Sequence, residues 1–550
     1  MVRNLVVRIA LLIVTSLTLV AQQEGVEIAW TSIDSIGLST SWFDPLITLD
    51  AEENVYAISA ISNDREGTSY LLVKYASDGT RLWSTGYDGP ENSYNVTDIA
   101  CDANGNLYMA ASSFNWTAEP WSSCSIVKKY SSNGTLNWVM NYDGAWASDL
   151  ALDLDGNVYV TGGSDIISGA ICTTIKYSSE GVEQWVARLD SSYSSSGRSI
   201  IVDSDGNVFV VGATGGWESS DFFTLKYNSD GSFAWEARYH GPGNGRDYAK
   251  SIALDNDGNI FVGGCSGSFT DRDFATIKYS PEGNELWVAR YNHSQHDYVK
   301  GIAVDMNGCA IVSGSVESGT TTIKYGPDGE ELWLIYNDSL SHLNGPESEG
   351  ELGHWGPVLD TEGNIYITGN YPSEATGMDL ATIKYAADGS VIWSQSYNSP
   401  DDYDDIGYNV ALAEDGSVYV TGGTGMTGYA GSWTEVDLLT VKLSQPQLTS
   451  MDGNISIPAG FDLHQNYPNP FNPNTTISYE LPEQTTVSLT VYDVRGQEVL
   501  TLQESVQSPG RYEVQWNGLN RSGNPVSTGV YFARLDAGEF SQTIKMLMIK

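Results

Sequence analysis

Residues 252–291 read IALDNDGNIFVGGCSGSFTDRDFATIKYSPEGNELWVARY, and this stretch decides the fold. An apolar tetrad ends in Asp255, a turn of Asp, Gly and Asn follows, and a second apolar run begins at Ile260. After a connection, a third run closes on Lys278-Tyr279, and a Gly-bearing turn leads to a fourth run centred on Trp287. Four short apolar runs with turn chemistry between them predict four antiparallel strands. The runs are apolar at nearly consecutive positions instead of alternating, which marks strands covered on both faces.

The unit recurs with a period near fifty. The tetrad closes at Asp50, Asp102, Asp153, Asp203, Asp255, Asp305, Asp360 and Ala413. Lys-Tyr recurs at 74–75, 129–130, 176–177, 226–227, 278–279, 324–325 and 384–385, with Lys442-Leu443 as an imperfect last copy. The Trp falls at Trp30, Trp83, Trp138, Trp185, Trp235, Trp287, Trp333 and Trp393, so each feature counts eight. Eight units of four strands predict an all-β, eight-bladed β-propeller with four-stranded blades. The phase is offset: Trp30 precedes the first tetrad, and no Trp strand follows Lys442. The N-terminal VEIAWTSI therefore supplies the fourth strand of the last blade and closes the ring, which removes its open edges.

Charge narrows the partners. Lys+Arg number 27 against 69 Asp+Glu, a formal charge of -42, and a field of that sign repels phosphate backbones, so no nucleic acid is expected. Residues 444–550 hold 10 acids and 6 bases and the first 21 residues hold two Arg, which leaves about -40 on the propeller. Residues 1–21 carry Arg3 and Arg8, then an apolar run from Ile9 to Val20, the plan of a signal peptide. That run is shorter than the ~20 residues a bilayer span needs, so the mature chain is expected to have no transmembrane segment and to be secreted or held at the outer-membrane surface. Cys101, Cys124, Cys172, Cys265 and Cys309 are scattered and odd in number, so they form no disulfide framework, and none has metal-ligand spacing.

The repeat, IAVD..GN.YV.G followed by DFATIKY...G...W.ARY, resembles the bacterial β-propeller repeat usually named as seven-bladed, over about residues 26–443 of a propeller expected to span 22–443. The turn half is similar to NHL-type repeats and the Lys-Tyr to Trp half to quinoprotein repeats. Eight copies depart from the usual name. Residues 444–463 then form a polar linker, and residues 464–550 hold alternating strands, among them TTISYELP, TVSLTVYDV and GVYFARLDA, that predict a small Ig-like β-sandwich. NYPNPFNP, VYDVRGQEV, VSTGVYFARL and IKMLMIK resemble the type IX secretion C-terminal sorting domain. The resemblance implies recognition by secretion machinery, with cleavage and surface attachment or release, and places the sorting motif at Asn466, Tyr467, Pro468, Asn469, Pro470, Phe471, Gly529 and Lys545.

Candidate chemistry is thin. The D-x-D-G-N turns, such as Asp153, Asp155 and Asn157, put oxygens at alternate positions as calcium loops do, but Gly replaces the third ligand and no Glu stands at the twelfth position. They are expected to be tight hairpin turns with no cofactor or metal, calcium being the alternative. The once-per-blade Lys is expected to pair with an Asp of its own or the adjacent blade. The long, variable connections share the other face and carry Trp116, Trp121, Trp146, Trp217, Trp355, Trp433, Tyr371 and Tyr429, with acids such as Glu218, Asp221, Asp271, Asp401, Asp402, Asp404 and Asp405. Rings and carboxylates on one rim suit a glycan or protein ligand. The longest connection holds His342, Glu351 and His354, the weak catalytic candidates. No nucleophile elbow, phosphate loop or HExxH is present. The leading expectation is a non-catalytic binding or adhesion protein, and the alternative is an extracellular polysaccharide lyase or hydrolase with its site on the long-loop face.

Overall fold

A computed structural model of the protein describes residues 26–549 apart from 35–44, 64–66, 88–92, 116–121, 167–168, 190–193, 216–218, 243–244, 269–270, 294–295, 317–318, 339, 341–355, 374–376, 401, 427–436, 446–459, 467–468, 470, 472, 474, 483–484, 508–509, 522–523 and 539. The chain separates into two compact units, Met1–Gln447 and Leu448–Lys550.

The first unit is an all-β propeller. Among its described residues stand eight four-stranded antiparallel sheets, in chain order 46–87, 93–143, 145–188, 195–239, 248–291, 298–337, 358–397 and 404–444, the last completed by Glu27–Asp34. That N-terminal strand pairs with Asp437–Ser444, with Trp30 opposite Lys442. Adjacent sheets pack face to face through shared apolar cores, as Tyr56 and Leu72 of the first sheet meet Leu107 and Met109 of the second. The last sheet meets the first in the same way, through Tyr419 and Leu438 against Ile47 and Val55. The ring is closed, and the continuous apolarity of the strands follows from their having a sheet on each side.

One polar joint repeats between the sheets. Lys324 Nζ lies 2.9 Å from Asp305 Oδ2 in its own sheet and donates to Ala387 O of the next sheet at 3.0 Å, while Trp333 Nε1 donates to that same carbonyl at 3.1 Å. Lys74 and Trp83 hold Ser132 O in the same way, Lys129 and Trp138 hold Ser179 O, and Lys278 and Trp287 hold Pro327 O. Most of these Lys also lie over an aromatic ring of the second strand, at 4.6 Å for Lys74 on Tyr56 and 4.9 Å for Lys384 on Tyr366, whereas Lys324 stands opposite Ile311. At the seam, Lys442 and Trp30 hold Ser77 O of the first sheet. Gly79, at φ +87°, lets that turn lie flat on the indole, since a Cβ there would stand 2.8 Å from the Trp30 ring. For Lys384 and Trp393, Gln445 Oε1 takes the place of the carbonyl, at 3.0 and 3.4 Å.

The D-x-D-G-N turns are hairpins whose first carboxylate serves the turn. Asp153 Oδ1 accepts the N–H groups of Asp155 and Asn157 at 3.1 and 2.8 Å, and Oδ2 accepts Asn157 Nδ2 and the Tyr159 hydroxyl at 2.8 and 2.9 Å. Burial by itself would raise the Asp305 carboxyl, but hydrogen bonds from Lys324 and the backbone outweigh it and hold it below its ordinary value of 3.8.

Among its described residues, the second unit is a sandwich of seven strands. One sheet holds Asp462–Leu463, Thr475–Leu481 and Gly510–Trp516, and the other Glu498–Gln507, Thr485–Asp493, Gly529–Ala537 and Phe540–Met548. Ile477, Leu489, Trp516, Leu535 and Met546 are among the residues that form its own core. The sequence pattern shows neither Asp462–Leu463 nor Glu498–Gln507. The second pairs with Thr485–Asp493 across two register shifts, at Leu489/Thr490 and Val491/Tyr492, which break its alternation.

Two outcomes test the ring. Trp30→Ala should cost about 3 kcal/mol in urea unfolding, in the range of Trp287→Ala, because both indoles make the same joint; an unaffected Trp30→Ala would show that the closing strand is dispensable. Lys324→Met strands a buried carboxylate and should cost about 3 kcal/mol at pH 7. A carboxyl with a lowered folded pKa stabilises above its unfolded value and loses that contribution as pH falls through the folded one. The gap between parent and Lys324→Met should therefore narrow in urea titrations below pH 4, and a gap independent of pH would remove Asp305 from the joint.

Candidate functional site

The first strand of each sheet is an edge strand, and its outward N–H groups have no ladder partner. In six sheets this strand carries a β-bulge at the same place, on Thr97, Ser148, Arg198, Lys250, Lys300 and Tyr408. The residue after the bulge reaches the next sheet. Asp98 Oδ2 accepts the Leu150 N–H at 3.3 Å, Asp149 Oδ2 the Ile200 N–H at 2.8 Å, and Ser251 Oγ the Ile302 N–H at 3.4 Å. These side chains supply the missing ladder partners around the centre of the ring.

First strands of the fourth to eighth sheets enclose a cavity of about 380 Å³. Arg198, Lys250 and Lys300 line it from three consecutive sheets, with Ile252, Ile302 and Val358 among the apolar lining and Ser251 and Asn409 among the polar, and among the described residues no carboxylate lines it. Gly301 stands where the two preceding sheets have Ser199 and Ser251, because a Cβ there would meet the Gly356 Cα at 2.3 Å.

The sequence holds a signal for this site that periodicity alone does not bring out. Asp-Tyr-x-Lys occurs at 247–250 and again at 297–300. The Asp anchors a connection: Asp247 accepts the N–H groups of Gly241 and Gly267 at 2.7 and 3.1 Å, and Asp297 that of His293 at 2.6 Å. Each Tyr stands beside a cation. Arg198 lies 4.8 Å over the Tyr248 ring, and buried Arg272 lies 5.9 Å from Tyr248 and 5.3 Å from Tyr298. The Lys sits on the bulge. Lysine counts carry the same message: of the propeller's eleven, only Lys128, Lys250 and Lys300 do not precede Tyr or Leu443. Lys128 is buried, donates to the Tyr70 hydroxyl at 3.0 Å, and burial pushes its ammonium down to about 8.

Trp116, Trp121, Trp217, Trp355, Trp433, Tyr429, His342, Glu351 and His354 lie outside the described residues, as do Glu218 and Asp401. Tyr371 belongs to the strand Ile365–Ser373 and packs against the core formed by Ile311 and Ile367, so it is not a free rim ring. Trp146 is likewise within a strand, Ala145–Leu152. Asp405 is fully buried, accepts the Ser399 N–H at 2.5 Å, and burial holds its carboxyl above the ordinary value. These positions look like loop residues in the sequence because the strands extend into polar segments where apolarity has already stopped.

Among the described residues, Asp221, His240 and Asp247 bring metal-ligating atoms within 4.8 Å of one another. His240 Nδ1 is 2.6 Å from Asp221 Oδ1, and both Asp247 oxygens take backbone N–H groups, so the trio also fastens two connections. All five cysteines are free. Burial pushes the Cys124 thiol up to about 11 and the Cys172 thiol up to about 12, away from thiolate chemistry at neutral pH.

In the second unit, the motif residues brace the last strand. Asn469 Oδ1 accepts the Leu547 N–H at 2.8 Å and its Nδ2 donates to Lys545 O at 3.1 Å; buried Phe471 exchanges backbone bonds with Leu547 and Ile549 at 3.0 and 2.9 Å. Asn466 Nδ2 donates to Thr475 Oγ1 at 2.7 Å. Gly529 stands opposite Met548, and Lys545 opposite Phe532. Tyr467, Pro468 and Pro470 lie outside the described residues.

The family described as Beta-propeller repeat matches residues 184–216, and the FlgD Ig-like domain matches residues 471–539. No curated protein sequence matches the chain significantly. Among solved structures, the Dos1 propeller is 11% identical, with 74% of this chain and 95% of that one covered and a TM-score of 0.43. Sqt1 from Chaetomium thermophilum is 9% identical, with 76% and 100% covered and a TM-score of 0.44. The polysaccharide lyase Uly1 is 12% identical, with 63% and 89% covered and a TM-score of 0.39. At these identities the likeness is one of fold. The chain thus joins a segment similar to the Beta-propeller repeat to one similar to the FlgD Ig-like domain.

Proposed function

We propose that the protein is an exported, non-catalytic binding or adhesion protein, secreted or held at the outer-membrane surface, whose propeller carries the ligand and whose closing module is read by a type IX-like secretion machinery. The observation that carries this is a division among the polar side chains. Those that repeat once per sheet, the Lys, the Trp and the first Asp of the turn, serve the joint between sheets. Those that differ from sheet to sheet stand on the inner bulges, as Thr97, Ser148, Arg198, Lys250, Lys300 and Tyr408. A constant scaffold with one variable lining is how a recognition protein is built. For the closing module, the signal-like start and the motif resemblance support the export route. Among the described residues no helix is long and apolar enough to cross a membrane.

Two experiments test the proposal. Full-length protein incubated with glycan and peptide panels should bind without turnover; turnover abolished by His354→Ala or Glu351→Ala would install the polysaccharide lyase or hydrolase instead. Removing residues 464–550 should leave a folded propeller inside the cell envelope, because the tail has its own core. Fractionation that finds the truncated chain at the surface would sink the sorting role, and proteolysis showing it unfolded would make the tail structural.

A further inference from the structure

We propose that the cavity framed by Arg198, Lys250 and Lys300 binds a compact organic polyanion carrying two or more carboxylates. This rests on the binding function above and names its ligand class. The three cations occupy one structural position in three consecutive sheets, so they present positive charge along an arc of the channel wall. They do so in a propeller whose sequence is otherwise acidic by about forty charges, and whose remaining lysines, Lys128 excepted, all precede the Tyr or Leu of the repeat. Asp98 and Asp149, the acids on the inner strands of the second and third sheets, accept backbone N–H groups and do not line the cavity. Positive charge is thus gathered where the rest of the molecule would repel an anion.

The lining selects the kind of anion. A guanidinium and two ammonium groups suit carboxylates, with Arg198 braced against the Tyr248 ring. Ile252, Ile302, Pro357 and Val358 face the same space and want a carbon skeleton, which a bare inorganic anion lacks. Ser251 and Asn409 add neutral hydrogen-bonding groups for hydroxyls. A volume of about 380 Å³ sits at the small end of ligand pockets and holds a sugar acid or a tricarboxylate. Nucleic acid fits neither the volume nor the surrounding field.

The test is a calorimetric titration of the full-length protein with citrate and with trigalacturonate, using inorganic phosphate as the anion without a carbon skeleton and cellotriose as the uncharged sugar. At least one carboxylate probe should bind saturably, phosphate should bind at least about tenfold more weakly, and cellotriose should not bind. Arg198→Gln and Lys250→Gln, both at half-buried positions, should each weaken the carboxylate probe about tenfold while the melting temperature shows an intact fold. Failure of both carboxylate probes, or equal binding to the doubly substituted protein, overturns the site. A panel ligand whose affinity is unchanged in that double variant would keep the binding function and remove the channel from it. A panel that returns no ligand at all would remove both.

Discussion

Everything in the propeller hangs on one oxygen per sheet, a backbone carbonyl in seven of them and the Gln445 side chain in the last. A Lys and a Trp from the preceding sheet converge on it, and Lys74, Lys176, Lys278, Lys324 and Lys384 are each paired with an Asp of their own sheet. Burying a cation is costly unless it is paired and hydrogen-bonded, and here carboxylate, carbonyl and aromatic face together meet that cost. The convergence also fixes geometry. A purely apolar interface would let two sheets slide, whereas two donors on a single oxygen admit one register. The seam obeys the same rule with residues from opposite ends of the unit, Trp30 and Lys442 on Ser77, so the closing strand is as much a hydrogen-bond donor as a filler of an edge.

Because the joint sits at the tight-turn face, the inner strands are left to manage a different problem. Edge strands arrayed around a channel would leave a circle of orphan N–H groups. The bulge turns one residue out of the ladder and lets its successor reach across to the neighbouring sheet, as Asp98 and Asp149 do. The bulged residue itself bears no ladder duty. That freedom is what allows Thr, Ser, Arg, Lys or Tyr at one structural position, and so lets a repetitive fold carry a lining that does not repeat.

What was legible in the sequence follows from this difference. The joint repeats every fifty residues, and Trp, Lys-Tyr and the tetrad Asp can be counted, so sheet number, strand order and the closing Trp30 strand are all visible before any coordinates. The bulge is not visible, because it is a matter of register between two strands and leaves no compositional mark. Arg198, Lys250 and Lys300 read as ordinary surface cations unless Asp-Tyr-x-Lys is noticed twice. Two rim positions are hidden for the opposite reason. Tyr371 and Asp405 lie past the end of an apolar run, where strand pairing continues through backbone bonds that no side chain announces.

The charge balance then acquires a mechanical sense. A propeller with about forty excess negative charges repels itself, and its few cations cannot neutralise that field in bulk. Placed one per sheet at the buried joints, they act where separation is shortest and screening by salt is weakest, which is why so small a number suffices to hold the ring. The lysines outside that system are therefore the exceptional ones. Two of the three remaining lysines stand in a single cavity beside an Arg, on positions the fold leaves free to vary.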